Sequence, residues 1–157
     1  MKDDPLEQIA QNLWEKLGLP WNKIEAPTHY GINSWSASAR LPNGTLECKE
    51  YPEPGEVDPY EGPVELRYGE ENKIILGVKS SYAVGYKEHK GKGALEYAIP
   101  STRYAELVER VKRAGPIGER LIQQQRRGNP EIAQGASWTL PLDSFEGLED
   151  FFYNFMK

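Results

Sequence analysis

The spacing of apolar residues changes along the chain, and that change decides the fold class before anything else. Near the start, Leu6, Ile9, Ala10, Leu13, Trp14 and Leu17 recur at helical spacing. From Ser34 the period drops to two, with Trp35, Ala37, Ala39 and Leu41 on one face and Ser36, Ser38 and Arg40 on the other. The first pattern packs one side of a helix on a core, and the second belongs to a half-buried strand. A chain carrying both sets helices against a sheet.

Turn and cap residues divide the rest. Asp4 is a helix cap, Pro5 suits the first helical position, Glu7 completes a capping box, and Gly18 and Pro20 end the helix. Residues 20–33 read as a loop. The segment Pro42-Asn43-Gly44-Thr45 predicts a type I′ hairpin turn with Leu46–Tyr51 returning, because Asn-Gly accepts positive φ. A second hairpin alternates Val64, Leu66 and Tyr68, turns over residues 69–72, and returns through Ile74, Leu76 and Val78. Strand continues over 80–86, residues 87–93 read as a Lys-Gly loop, and Leu95, Tyr97 and Ile99 share a face of the next strand.

Ser101 then caps a helix with the stripe Leu107, Val108, Val111 and Ala114, and Gly115-Pro116 separates it from a second basic helix over Ile117–Arg127. Trp138 and Leu140 mark a last strand. Asp143 caps a final helix, with Glu146 in the capping-box place and Leu148, Phe151, Phe152 and Phe155 as its apolar stripe. Hairpins give antiparallel pairing. The expected fold is therefore a single α+β domain over 1–157: an antiparallel sheet of about five or six strands with an N-terminal helix, a basic helix pair and an aromatic C-terminal helix.

Residues 51–63 interrupt this pattern with Pro52, Pro54, Pro59 and Pro63 among Glu53, Glu56, Asp58 and Glu61, with no basic residue. A sheet interior tolerates no such composition, so an exposed acidic loop is expected, with Tyr51, Asp58 and Tyr60 as candidate partner contacts. The chain of 157 residues is long enough for a core without disulfides or structural metal. It lacks an apolar run long enough for a membrane span, and Met1 to Pro5 is polar and acidic. With one cysteine, Cys48, it fits a reducing compartment. A soluble, cytoplasmic protein without membrane contact is the expectation.

Few residues carry recognisable chemistry. His29 and His89 stand far apart and Cys48 is alone, so no pair has zinc-ligand spacing, and no metal or cofactor is expected. The stretch from Gly85 to Lys92 misses phosphate-loop spacing by one residue, and Gly93 replaces its Ser or Thr. Glu47-Cys48-Lys49, on a strand after a hairpin, resembles the Glu-x-Lys half of the Mg²⁺-dependent PD-(D/E)xK nucleases. The resemblance implies Glu47 as a Mg²⁺ ligand and Lys49 as a water-activating cation. The family also wants an acid on the adjoining strand; Trp35–Leu41 has none, leaving Glu7 and Asp58 as substitutes.

Charge is unevenly spread. The net charge is −5, yet residues 63–136 hold 13 Lys+Arg against 9 Asp+Glu. Lys87, Lys90 and Lys92 with Tyr82 and Tyr86, together with Arg103, Arg110, Arg113, Arg126 and Arg127, are candidates for phosphate contact and base stacking. Against this, Glu106–Arg110 and Glu109–Arg113 have the spacing of ordinary i, i+4 helix pairs. The first expectation is a non-enzymatic binding or adaptor protein that engages a protein partner through the acidic arm and the aromatic C-terminal helix. The alternative is a nucleic-acid-associated protein using the basic segment 87–92 and helices 103–127, with nuclease activity if Glu47 and Lys49 hold Mg²⁺.

Overall fold

The computed structural model describes residues 5–27, 33–50, 64–71, 73–84, 87–98, 104–126 and 137–157. It is an α+β fold. Helix α1 (Pro5–Lys16) precedes strands β1 (Ile24–Pro27), β2 (Asn33–Arg40), β3 (Thr45–Glu50), β4 (Val64–Glu70), β5 (Lys73–Val84) and β6 (Lys87–Ala98). Helices α2 (Tyr104–Arg113) and α3 (Pro116–Arg126) follow, then β7 (Ser137–Leu142) and helix α4 (Leu148–Met156). The strands form one antiparallel sheet in chain order, β1 to β7. Two of these seven strands alter the expected reading.

Strand β1 lies in the segment read as a loop. It is short and wholly exposed, so its side chains leave no alternation to read. The ladder to β2 runs from Ile24↔Ser36 to Pro27↔Asn33, and Pro27 is tolerable because β1 is an edge strand. Residues 87–93 likewise belong to β6, paired with β5 from Lys87↔Val84 through Lys90↔Ser81 and again from Ala94↔Lys79. Lys and Gly have low strand propensity, so pairing with β5, not local preference, holds this backbone extended.

One face of the sheet carries the core. Ala37, Ala39, Leu46, Cys48, Leu66, Tyr68, Leu76, Val78, Leu95, Leu140 and Leu142 are buried with Leu6, Leu13, Trp14, Leu107, Val111, Leu121, Phe151, Phe152 and Phe155 from the described helices. The aromatic stripe of α4 is thus core: Leu148, Phe151, Phe152 and Phe155 are each at most 1% exposed, and a partner could reach only the rest of that helix. Its start also differs from the reading, since Gly147, not Asp143, occupies the cap position. Lys16 ties α1 to α4 through Glu149 at 2.6 Å and Asp150 at 3.2 Å, and these two carboxylates hold its ammonium above its ordinary pKa.

Trp14, Trp21 and Trp35 meet edge to face in sequence, and Lys23 lies 4.4 Å over the Trp35 ring while also pairing with Glu7. This packs the chain after α1 against β2. Among the described residues no helix is long and apolar enough to cross a membrane.

Candidate functional site

The other face of the sheet has no described helix on it, and strand register assembles its side chains into rows. One row runs Ser38–Glu47–Arg67–Gly77 across β2 to β5, and the next runs Ile24–Ser36–Lys49–Glu65–Lys79 across β1 to β5. Opposite charges therefore face each other between β3 and β4, which favours this register. Arg67 reaches Glu47 at 2.5 Å and Glu65 at 3.5 Å, Lys49 stands 3.7 Å from Glu47, and the Ser38 hydroxyl donates to Glu47 at 3.3 Å.

This geometry gives both charges of the Glu-x-Lys motif partners on the sheet. The Glu47 carboxylate is held by the Arg67 guanidinium, its direct cross-strand neighbour. Among the described residues no three His, Cys, Asp or Glu side chains are gathered as metal ligands. Glu7 lies on α1, where it pairs with Lys23, and Asp58 lies outside the described residues. Glu47 and Lys49 are thus members of an ion-pair lattice spanning two strands.

Beside the lattice, at the tips of the β2–β3 and β4–β5 hairpins, a groove of about 540 Å³ opens between Arg40, Leu41, Glu47, Arg67, Lys73 and Ile74. The turn that shapes it is not the expected type I′. Neither Asn43 nor Gly44 has positive φ, and the Leu41 N–H donates to the Gly44 carbonyl at 2.7 Å across a four-residue loop. Glycine is needed at 44 for a different reason: a Cβ there would approach the Gly69 carbonyl oxygen to under 3.0 Å. The close approach brings the two hairpin tips together.

A β-bulge between Tyr68 and Gly69 shapes the other wall. It shifts the β4–β5 register so that Gly69 faces Ile74 and Tyr68 faces Leu76. Ile75 is buried, and Ile74, expected on the core face with Leu76, turns outward and is 50% exposed. Ile24, at the far end of the same face, is 67% exposed. These two are the exposed large apolar side chains among the described residues, and both lie on the face opposite the described helices.

The described members of the basic set are spread over β5, β6, α2 and α3. Lys87, Lys90, Lys92 and Tyr82 lie on paired strands, so the basic segment is not a loop. Tyr51, Asp58, Tyr60, Tyr86, Arg103 and Arg127 lie outside the described residues, and Arg126 is the last residue of α3. Arg113 is exposed, with its Nε donating to the Glu109 carbonyl at 3.4 Å.

Arg110 is the clear correction. Its Nη1 donates to Glu70 at 2.9 Å, its Nε and Nη2 donate to the Phe155 carbonyl at 3.2 and 3.0 Å, and its guanidinium lies 4.3 Å from the Phe155 ring centre. The Arg110 side chain is 15% exposed and that of Glu70 is 5% exposed. A cation so enclosed has its guanidinium donors engaged within the fold.

Tyr68 belongs to the same cluster. Burial pushes its phenol above the ordinary value near 10, and the Glu70 carboxylate adds to this while the Arg110 guanidinium opposes it. The folded protein therefore keeps this proton more tightly than the unfolded chain does. The associated stability is present below about pH 10 and is lost as pH rises through the raised value. Tyr68→Phe is expected to flatten that alkaline decline, read from urea midpoints at about pH 8 and about pH 11. Parallel declines in the two proteins would show that the phenol does not cause it.

Comparison with protein-family models, curated proteins and solved structures gives no match. Of the residues on this face, Glu47 and Lys49 stand out in the sequence through their motif. Arg40, Lys73 and Ile74 carry no local signal, since only the bulge and the meeting of two hairpin tips bring them to one groove.

Proposed function

We propose that the chain is a binding module for a protein partner and that the sheet face opposite the described helices is the contact surface. The exposure of Ile24 and Ile74 on that one face carries the reading. Apolar residues framing a surface of ordered charges suit a protein interface, whose apolar contacts supply affinity and whose charges set register. By register the face carries both signs, with Arg40, Lys49, Arg67 and Lys79 among Glu47, Glu65 and Glu96.

Benzoylphenylalanine placed singly at Ser36 or Thr45 on this face, and at Lys112 or Gln123 on the helical side, tests the reading by photo-crosslinking in a lysate of the source cells. The expected result is one shared protein adduct from both sheet positions and none from the helical ones. Adducts from Lys112 or Gln123 in their place, or none from Ser36 and Thr45, would overturn it.

A further inference from the structure

We infer that the groove at the two hairpin tips receives a short acidic segment of the partner, a peptide with carboxylates beside apolar side chains. This rests on the protein-binding reading above and names the chemistry of the contact. Arg67 is shared between Glu47 and Glu65, so it stiffens the groove without lending it net positive charge. Arg40 and Lys73 differ: both are exposed, both line the groove, and neither makes an ion pair among the described residues, so together they outweigh the exposed Glu71 carboxylate on the same lining. Their ammonium and guanidinium groups are the cations that an incoming carboxylate can engage, the guanidinium in two-pronged fashion.

Next to them, Ile74 is half exposed and Leu41 partly buried, which gives the groove an apolar wall. The volume, about 540 Å³, matches a few side chains and not a folded domain. A nucleic acid fits less well. Among the described residues no aromatic ring lines the groove on which a base could stack, and the chain's charge of −5 opposes a polyphosphate at long range.

The test uses the full chain and a fluorescein-labelled array of heptapeptides that alternate Asp or Glu with Leu, Ile or Phe. Matched arms replace every acid by Asn or Gln, and a further arm is oligothymidylate. Fluorescence anisotropy at physiological salt is expected to show saturable binding of acidic peptides, weaker by about tenfold or more for their amide counterparts. Arg40→Glu with Lys73→Glu is expected to remove about tenfold or more of that affinity, and Lys112→Glu with Arg113→Glu less than about twofold. The milder pair Arg40→Gln with Lys73→Gln is expected to fall between these, and circular dichroism verifies that each variant is folded.

Equal binding of amide and acidic peptides, no binding by any acidic peptide, indifference to both Arg40/Lys73 pairs, or tighter binding of oligothymidylate would each overturn the inference. Any of these with sheet-face crosslinks intact leaves a protein interface that does not use this groove. Loss of the crosslinks themselves removes the underlying reading.

Discussion

Arg110→Met is expected to lower the stability of the fold by about 3–5 kcal/mol, the range for breaking a buried ion pair from one side. Two separate debts arise in this variant. The Glu70 carboxylate stays enclosed without this cation, and the Phe155 carbonyl loses both guanidinium donors. That carbonyl lies in the last turn of α4, where main-chain acceptors have no partner within the helix and a cation also suits the helix dipole. Arg110 thereby clamps α2 to the end of α4 and to the end of β4.

The double variant Arg110→Met/Glu70→Leu is expected to recover most of the loss, because a buried ion pair and a well-packed apolar pair are often close in energy. Urea unfolding of the parent, both single variants and the double variant gives the coupling directly. A loss below about 1 kcal/mol in Arg110→Met would show that the clamp does not hold the helices. The same variant separates the two uses of this arginine. Weaker binding of nucleic acid by a folded Arg110→Met protein, with stability unchanged, would return it to the surface.

Periodicity carries the layers of this fold well and the neighbours across strands poorly. Leu6, Ala10, Leu13 and Trp14 on α1, Ala37 and Ala39 on β2, and Leu148, Phe151, Phe152 and Phe155 on α4 are buried as their spacing predicts. Each of those patterns is local, set by a helix or strand period that the chain itself displays. Strand β1 has no such pattern because all four residues are exposed. The start of β6 has the wrong composition for a strand and depends on a partner strand. Ile74 follows the alternation of its neighbours and still faces outward, since one bulge reverses its side.

The candidate site shows the same division. Glu47 and Lys49 look like half of a metal site when only two positions along one strand are visible. Strand pairing adds Arg67 directly opposite Glu47, and an arginine in that position turns a ligand motif into an ion-pair lattice. Arg110 repeats the lesson: Glu106 one turn away is its obvious partner in the sequence, whereas the shorter contact is to Glu70, 40 residues distant, with Glu106 at 3.9 Å. Arg40 and Lys73 stand on separate hairpins in the sequence, and their common groove exists only because two turns touch at Gly44 and Gly69.

Gly118→Ala is expected to destabilise the protein by about 2–3 kcal/mol, toward the upper end of the overpacking range, although helix propensity alone favours Ala by about 1 kcal/mol. The reason is distance between main chains. A Cβ at Gly118 in α3 would fall under 3.0 Å from the carbonyl oxygen of Val111 in α2, with the Phe151 ring as a further neighbour at 3.4 Å. A flexible side chain can swing away from an added methyl, but the Val111 carbonyl is part of a helix whose Leu107, Val111 and Ala114 are buried in the core. Relief therefore requires α2 and α3 to separate as bodies, loosening both against α4. Gln123→Ala, exposed on the same helix, is the control and is expected to stay within about 0.5 kcal/mol of the parent. Thermal and urea unfolding distinguish the cases: a Gly118→Ala protein as stable as the parent, or more stable, would mean that the two helices stand farther apart than the close approach described here.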